Sequence, residues 1–234
     1  MVEVHGAHGY LLDAFLDPAL HPLSPPGAKP TSELEDIIRR AEFPCRVVAA
    51  IRAALGPGVP ISYRFSQWKL NDYACKKFRT SSCLAAFLSV LHQAGVDVFH
   101  PSTRRILDTG FPDEHPTRTL AGWTKLCLNP GPGAPLPVVV GVGSITLEKP
   151  FGEQPVATQA GPLSIAQPHS KPAAVADPGP ALALLEPTRG ECDVVAVGRG
   201  MLVDPEWAAK VLAGRWQELL PFSLEHEGRR RKQV

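Results

Sequence analysis

Cysteine pairs, a dominant charge and long apolar runs are all missing from this 234-residue sequence, and each absence removes a class of function. The five cysteines are odd in number and none stands in a Cys-x-x-Cys pair, so neither a disulfide framework nor a zinc ribbon is indicated. Reduced thiols are expected. Lys plus Arg number 24 against 23 acidic residues, a balance that sets up no field for nucleic acid or an anionic membrane. No apolar run approaches the ~20 residues needed to span a bilayer, and the first residues lack the basic and apolar regions of a signal peptide. A cytoplasmic location is expected, with organellar targeting left open for any segment preceding Met1. What remains is small-molecule chemistry.

The chain does have an ordinary apolar content, 44%, enough to bury a core. It opens on an unusual stretch: within Val2 to Leu12, His5, His8 and Tyr10 place three proton-handling groups around Gly6 and Gly9, which allow sharp turns and close approach to a ligand. The plainer alternative is that the histidines cap a strand end and Tyr10 packs into the core. A proline-rich loop follows from Asp17 to Pro30. Thr31 or Ser32 can then cap a helix that gathers Leu34, Ile37, Ile38 and Ala41, then Val47, Val48, Ile51 and Leu55, with Pro44 interrupting it. Val59 to Ser66 reads as a buried strand ending in Arg64 and Ser66, Ser82 to Gln93 as a helix closed by Gly95, and Val96 to His100 as a strand. Leu120 to Leu128 is amphipathic.

Pro137 to Ser144 is wholly apolar before its glycines, the pattern of a parallel strand buried on both faces. Cys192 to Arg199 reads as another buried strand, and Asp204-Pro205 opens a last helix that turns Trp207, Ala208, Val211 and Leu212 inward. Between them, residues 148–180 are rich in Pro, Ala, Gly, Gln and Ser and poor in large apolar residues, so they are expected to form a flexible low-complexity insertion. The basic tail, residues 225–234, is expected to be disordered.

Five strands, each followed by helix-length sequence, imply an α/β fold with a parallel sheet covered by helices. In a (β/α)-barrel the site lies at the C-terminal rim of the strands, where His5, Arg64, Gly143 and Arg199 fall. A doubly wound sheet is the alternative, although no G-x-G-x-x-G opens a helix after the first strand. Late glycines at two strand ends, Gly141-Val142-Gly143-Ser144 and Gly198-Arg199, suit an anion such as a phosphate; alternatively they relieve crowding and Arg199 makes a rim ion pair. Arg64 in a buried strand calls for an anionic or electron-rich partner. A metal hydrolase using His5, His8 and Asp13 is a further alternative, weakened by the lack of a third ligand at recognisable spacing.

The run His5-Gly6-Ala7-His8-Gly9-Tyr10-Leu11-Leu12-Asp13-Ala14-Phe15-Leu16 closely resembles the fourth strand and following loop of the Old Yellow Enzyme family of NADH:flavin oxidoreductases. Arg64 to Lys69, Asp97 to His100 with Ser102 to Arg105, Leu120 to Lys125, and Val195 to Arg199 with Asp204 to Trp207 resemble later family motifs, in order. The resemblance implies one partial (β/α)8 TIM-barrel domain over residues 1–234, truncated to roughly strands four to eight with their helices. It implies FMN as cofactor, NADPH or NADH as reductant, and an activated alkene, an α,β-unsaturated carbonyl or nitro compound, as substrate. His5 and His8 are implied to bind the substrate's oxygen, with His5 also near the flavin, and Tyr10 to be the proton donor. Arg64 is implied to face the flavin ring, and Gly143, Ser144, Gly198 and Arg199 to hold the FMN phosphate; no metal is expected. Open sheet edges in such a partial barrel suggest a need for an oligomer or a complementing fragment, and leave a catalytically impaired relic as the alternative.

Overall fold

The apolar segments of the sequence assemble into one sheet of five parallel strands. In the computed structural model, which describes residues 1–18, 20, 32–128, 136–147 and 175–222, these are β1 (Val2–His8), β2 (Ile61–Lys69), β3 (Val98–Ser102), β4 (Val138–Val142) and β5 (Val194–Ala196). Their spatial order is their chain order. A doubly wound sheet needs a reversal of strand order to create its binding crevice, and none occurs among the described residues. Sequential parallel pairing with helical crossovers is instead the wiring of a barrel wall.

The helices are α1 (Leu11–Ala14), α2 (Glu33–Arg40), α3 (Glu42–Leu55), α4 (Ser81–Ala94), α5 (Leu120–Cys127), α6 (Gly179–Leu182), α7 (Arg199–Val203) and α8 (Trp207–Leu212). Ser32 caps α2 in a reciprocal box with Glu35. Pro44 lies in the first turn of α3, where its missing N–H costs nothing, and the interruption falls one turn earlier, at Ala41. Thr80 caps α4 and Gly95 ends it in a left-handed conformation. The buried stripe of α4, Cys83, Leu84, Phe87, Leu88 and Leu91, packs into the core with Tyr63, Phe65, Phe99 and Val139 from the helix-covered face of the sheet. Each large apolar side chain so buried contributes about 1.5–3 kcal/mol.

At the opposite, N-terminal end of the strands one device is used twice. Asp97, just before β3, exchanges backbone and side-chain hydrogen bonds with Ile61 and pairs with Arg52 of α3. Asp193, just before β5, does the same with Val139 and pairs with Lys125 of α5 at 2.6 Å. Both carboxylates pin the start of a strand to the preceding strand and helix.

Three expectations need correction. Strand β2 does not end at Ser66; it begins at Ile61 and runs on to Lys69, because β1 and β3 both continue far enough to pair with it (His8 opposite Lys69, Ser66 opposite Ser102). The strands near the end of the chain are not buried on both faces: Val138 is 38% and Val194 47% exposed, since helices cover one face of the sheet only among the described residues. In α8, Trp207 is inward, but Ala208 and Leu212 face solvent. Of the 148–180 segment, residues 148–174 lie outside the described residues, while Val175 bridges Leu147 and Gly179 opens α6. The tail, residues 225–234, also lies outside them.

Candidate functional site

The face of the sheet away from the helices carries Glu3, His5, Ser62, Arg64, Ser66, His100 and Ser102, brought level by the parallel register His5–Arg64–His100. Polar residues on alternate positions of adjacent strands must share a face, so this clustering follows from pairing alone. Arg64 donates from Nη2 to Ser102 Oγ at 3.0 Å, and His8 Nε2 meets the same oxygen at 2.9 Å. Burial holds Arg64 below its ordinary pKa, opposed by Glu3. Its Nε is buried and finds no hydrogen-bond partner among the described residues, an orphan donor that a ligand acceptor would satisfy. Glu3 accepts from His100 Nδ1 at 2.7 Å and from Ser62 Oγ at 3.0 Å, and the His100 bond holds its carboxyl below the usual range.

The three residues singled out at the start of the chain do come together. The rings of His5 and His8 lie 5.3 Å apart, and those of His5 and Tyr10 5.4 Å apart. Tyr10 is 53% exposed, so it is not the core residue that the plainer alternative supposed. Burial, and then the Arg64 charge, pushes His8 down to about 3 and also lowers His5. Both imidazoles are therefore neutral near pH 7, each with one N–H to give.

The corner that presents them is strained: His8 has φ +65° and Gly9 φ +87°. A left-handed residue with a side chain costs roughly 1–2 kcal/mol, so something must hold it. The His8 N–H donates to Ser66 Oγ at 2.9 Å and the Gly9 N–H to Asp13 Oδ2 at 2.6 Å. Asp13, weighed above as a metal ligand, is committed to this turn and to a buried ion pair with Lys77.

A cavity of about 230 Å³ joins this corner to the other end of the sheet. Its lining includes His8 and Arg64 at one end and Gly143, Ser144, Gly198 and Arg199 at the other. Among the described residues its lining includes three arginines and no acidic residue, which favours an anionic occupant. A side chain at Gly143 would meet Ile106 N at 2.5 Å, so the crowding explanation holds for that glycine even as it borders the cavity. A side chain at Gly198 would meet nothing within 4 Å among the described residues. Arg199 reaches Ser144 Oγ at 3.4 Å.

Trp68, Ser102 and Arg104 also line the cavity; they stand in the motif stretches named above, but no role was assigned to them there. Trp68 stacks on His8 at 4.3 Å and lies 5.6 Å from Tyr73, over whose ring Arg104 sits at 4.2 Å. With His5 and Tyr10 they form a continuous row of rings, of which His8 and Trp68 line the cavity.

An all-parallel sheet wired in sequence, with its strand ends around a cationic cavity, defines an α/β protein of the barrel type. The NADH:flavin oxidoreductase / NADH oxidase family matches residues 1–122, and the chain belongs to it. The chain is 29% identical over 225 residues to an NADH oxidase of Thermoanaerobacter brockii, covering 93% of this chain and 27% of that protein. It is 28% identical over 189 residues to a bilirubin reductase of Clostridium symbiosum, covering 79% of this chain and 41% of that one. Among solved structures, morphinone reductase in complex with tetrahydroNAD has a TM-score of 0.56 at 20% identity, covering 94% of this chain and 45% of that chain. A 2-naphthoyl-CoA reductase has a TM-score of 0.57 at 16% identity, covering 94% and 27%. The chain thus spans less than half the length of each of these relatives. Among the described residues no helix is long and apolar enough to cross a membrane.

Proposed function

We propose that this chain carries the substrate corner and the phosphate end of an FMN-dependent ene-reductase site, in which NADH or NADPH is the reductant and an activated alkene the acceptor. The observation that carries this reading is one cavity bordered by His8 and Arg64 at one end and by Gly143, Ser144, Gly198 and Arg199 at the other. The residues fit the cofactor: the buried, unpartnered Nε of Arg64 suits the electron-rich edge of a flavin ring, and the open backbone at Gly198 beside Arg199 suits a phosphate. The five strands are read as strands four to eight of a (β/α)8 barrel.

The chemistry that bound FMN supplies is hydride transfer. In this reading the neutral imidazoles of His5 and His8 donate N–H hydrogen bonds to the carbonyl or nitro oxygen of the alkene, stabilising the charge that develops there. Tyr10, exposed at the turn, gives its phenolic proton to the alkene carbon opposite the one that receives hydride. Arg64 answers negative charge gathering on the flavin's pyrimidine edge, and Trp68 walls the site beside His8.

The test is whether the chain retains FMN through gel filtration and is stabilised by it. Absence of both defeats the reading for this chain. With flavin bound, Tyr10→Phe should slow alkene reduction about 10²–10⁴-fold while sparing flavin reduction by the nucleotide; equal loss of both half-reactions contradicts the role given to Tyr10.

A second reading is that the chain is a catalytically impaired relic, or works only with an oligomeric partner or complementing fragment. It is favoured by the exposed Val138 and Val194, and by β1 and β5 having a strand neighbour on one side only among the described residues. FMN retention that appears only when further barrel strands are supplied would select the complementing fragment; no retention even then would select the relic.

A further inference from the structure

The Asp13–Lys77 pair is almost wholly buried, with side chains 0% and 3% exposed, and burying two charges is unfavourable unless their contacts are good. Desolvation pushes Asp13 up and Lys77 down, opposed in both by their mutual attraction. The pair lies under the strained corner rather than in the cavity. Asp13 Oδ2 takes the Gly9 N–H at 2.6 Å, and Lys77 Nζ reaches Ser66 Oγ at 3.3 Å. Ser66 Oγ in turn accepts the His8 N–H at 2.9 Å and donates to Trp68 O at 2.7 Å. Both amides of the left-handed pair His8–Gly9 therefore end on one buried network, contributed by α1, β2 and the segment between β2 and α4. That network also ties down the backbone of Trp68, whose ring stacks on His8.

We infer that Asp13 and Lys77 are positioning residues, whose buried pair sets where His8, Tyr10 and Trp68 stand against a bound substrate. The inference rests on the site reading above. An ion pair kept only for stability could be replaced by apolar side chains of similar volume without loss. A positioning pair could not, because the Gly9 N–H would lose its acceptor and the turn its shape, and a displacement of the order of 1 Å at a reacting group can cost roughly 100-fold in rate.

The experiment compares the wild-type chain with Asp13→Leu/Lys77→Met and with Asp13→Asn/Lys77→Met, which keeps an oxygen for the Gly9 N–H. Flavin reduction by the nucleotide should stay within about threefold of wild type in both, while alkene-dependent reoxidation falls roughly 100-fold in the Leu/Met variant and is partly restored in the Asn/Met variant. Equal loss of both half-reactions, or unchanged reoxidation, overturns the inference. Amide exchange gives a readout independent of flavin: at His8 and Gly9 it should rise about 100-fold in the Leu/Met variant with β3 unchanged. If the wild-type chain binds no flavin, the site reading fails and exchange alone decides: a rise supports positioning, no rise defeats it. Should the Leu/Met variant not fold, the Asn/Met variant is read in the same way, with losses of the same sign and smaller size expected and none overturning the inference.

Discussion

The two ends of the sheet are built from different materials. At the β1–β2 end, His8, Gly9 and Trp68 are fixed by side chains that are themselves buried and bonded: Ser66, Asp13 and Lys77. At the β4–β5 end the cavity is bordered by glycine backbone and by Arg199, whose contact with Ser144 is a long 3.4 Å. The strands differ likewise: β2 is nine residues and largely buried, whereas β5 is three residues and begins with an exposed valine. The difference is what the proposed chemistry asks of each end. Directed proton and hydrogen-bond donors need fixed geometry before substrate arrives, while a phosphate, being a large multiply charged anion, can itself organise backbone amides and a guanidinium around it.

The largest loss is expected from Lys77→Ala. It leaves Asp13 buried without its cation and should cost about 3–5 kcal/mol in urea unfolding. A loss below about 1 kcal/mol, the value of an exposed pair, would mean that the histidine end is not the rigid one.

Next come two alanines at the other end. Gly143→Ala drives a methyl into the backbone around Ile106 and should cost about 1–3 kcal/mol; Gly198→Ala meets open space, should leave stability unchanged, and should weaken FMN binding. Equal stability losses at both positions would erase the distinction drawn between packing and binding glycines.

His8 also makes stability depend on pH. Folded His8 stays neutral down to about 3 whereas a free imidazole protonates near 6.5, so in that window the unfolded chain binds more protons. Stability should therefore fall as pH drops from 6.5 toward 3, and His8→Asn should flatten the slope in titrations of unfolding. An unchanged slope would place the acid sensitivity elsewhere. Smallest is the expected effect of FMN on amide exchange, which should add protection in β4 and β5 and little in β1 and β2. The reverse pattern would invert the assignment of the two ends.

Much of this was legible in the sequence because alternation and helical period are local. Helix α4 is marked by Thr80, Gly95 and its leucine stripe, and the histidines and Tyr10 lie within six residues of one another. The extension of β2 to Trp68 and Lys69 was not legible, because it depends on neighbours supplied by β1 and β3. The exposure of Val194 and Leu212 was not legible either, since apolar character does not say which face has a partner.

The strand–helix alternation, the family to which the chain belongs and the residue types at the strand ends are all written in the order of the amino acids. That Lys77, 64 residues from Asp13, closes the network under His8 and Gly9, and that Arg64 and Arg199 border one cavity, emerge from the folded chain alone. The reason is physical. A parallel sheet brings strand ends together only through long crossovers, so contacts that position the site lie far apart in the chain and leave no periodic trace in it.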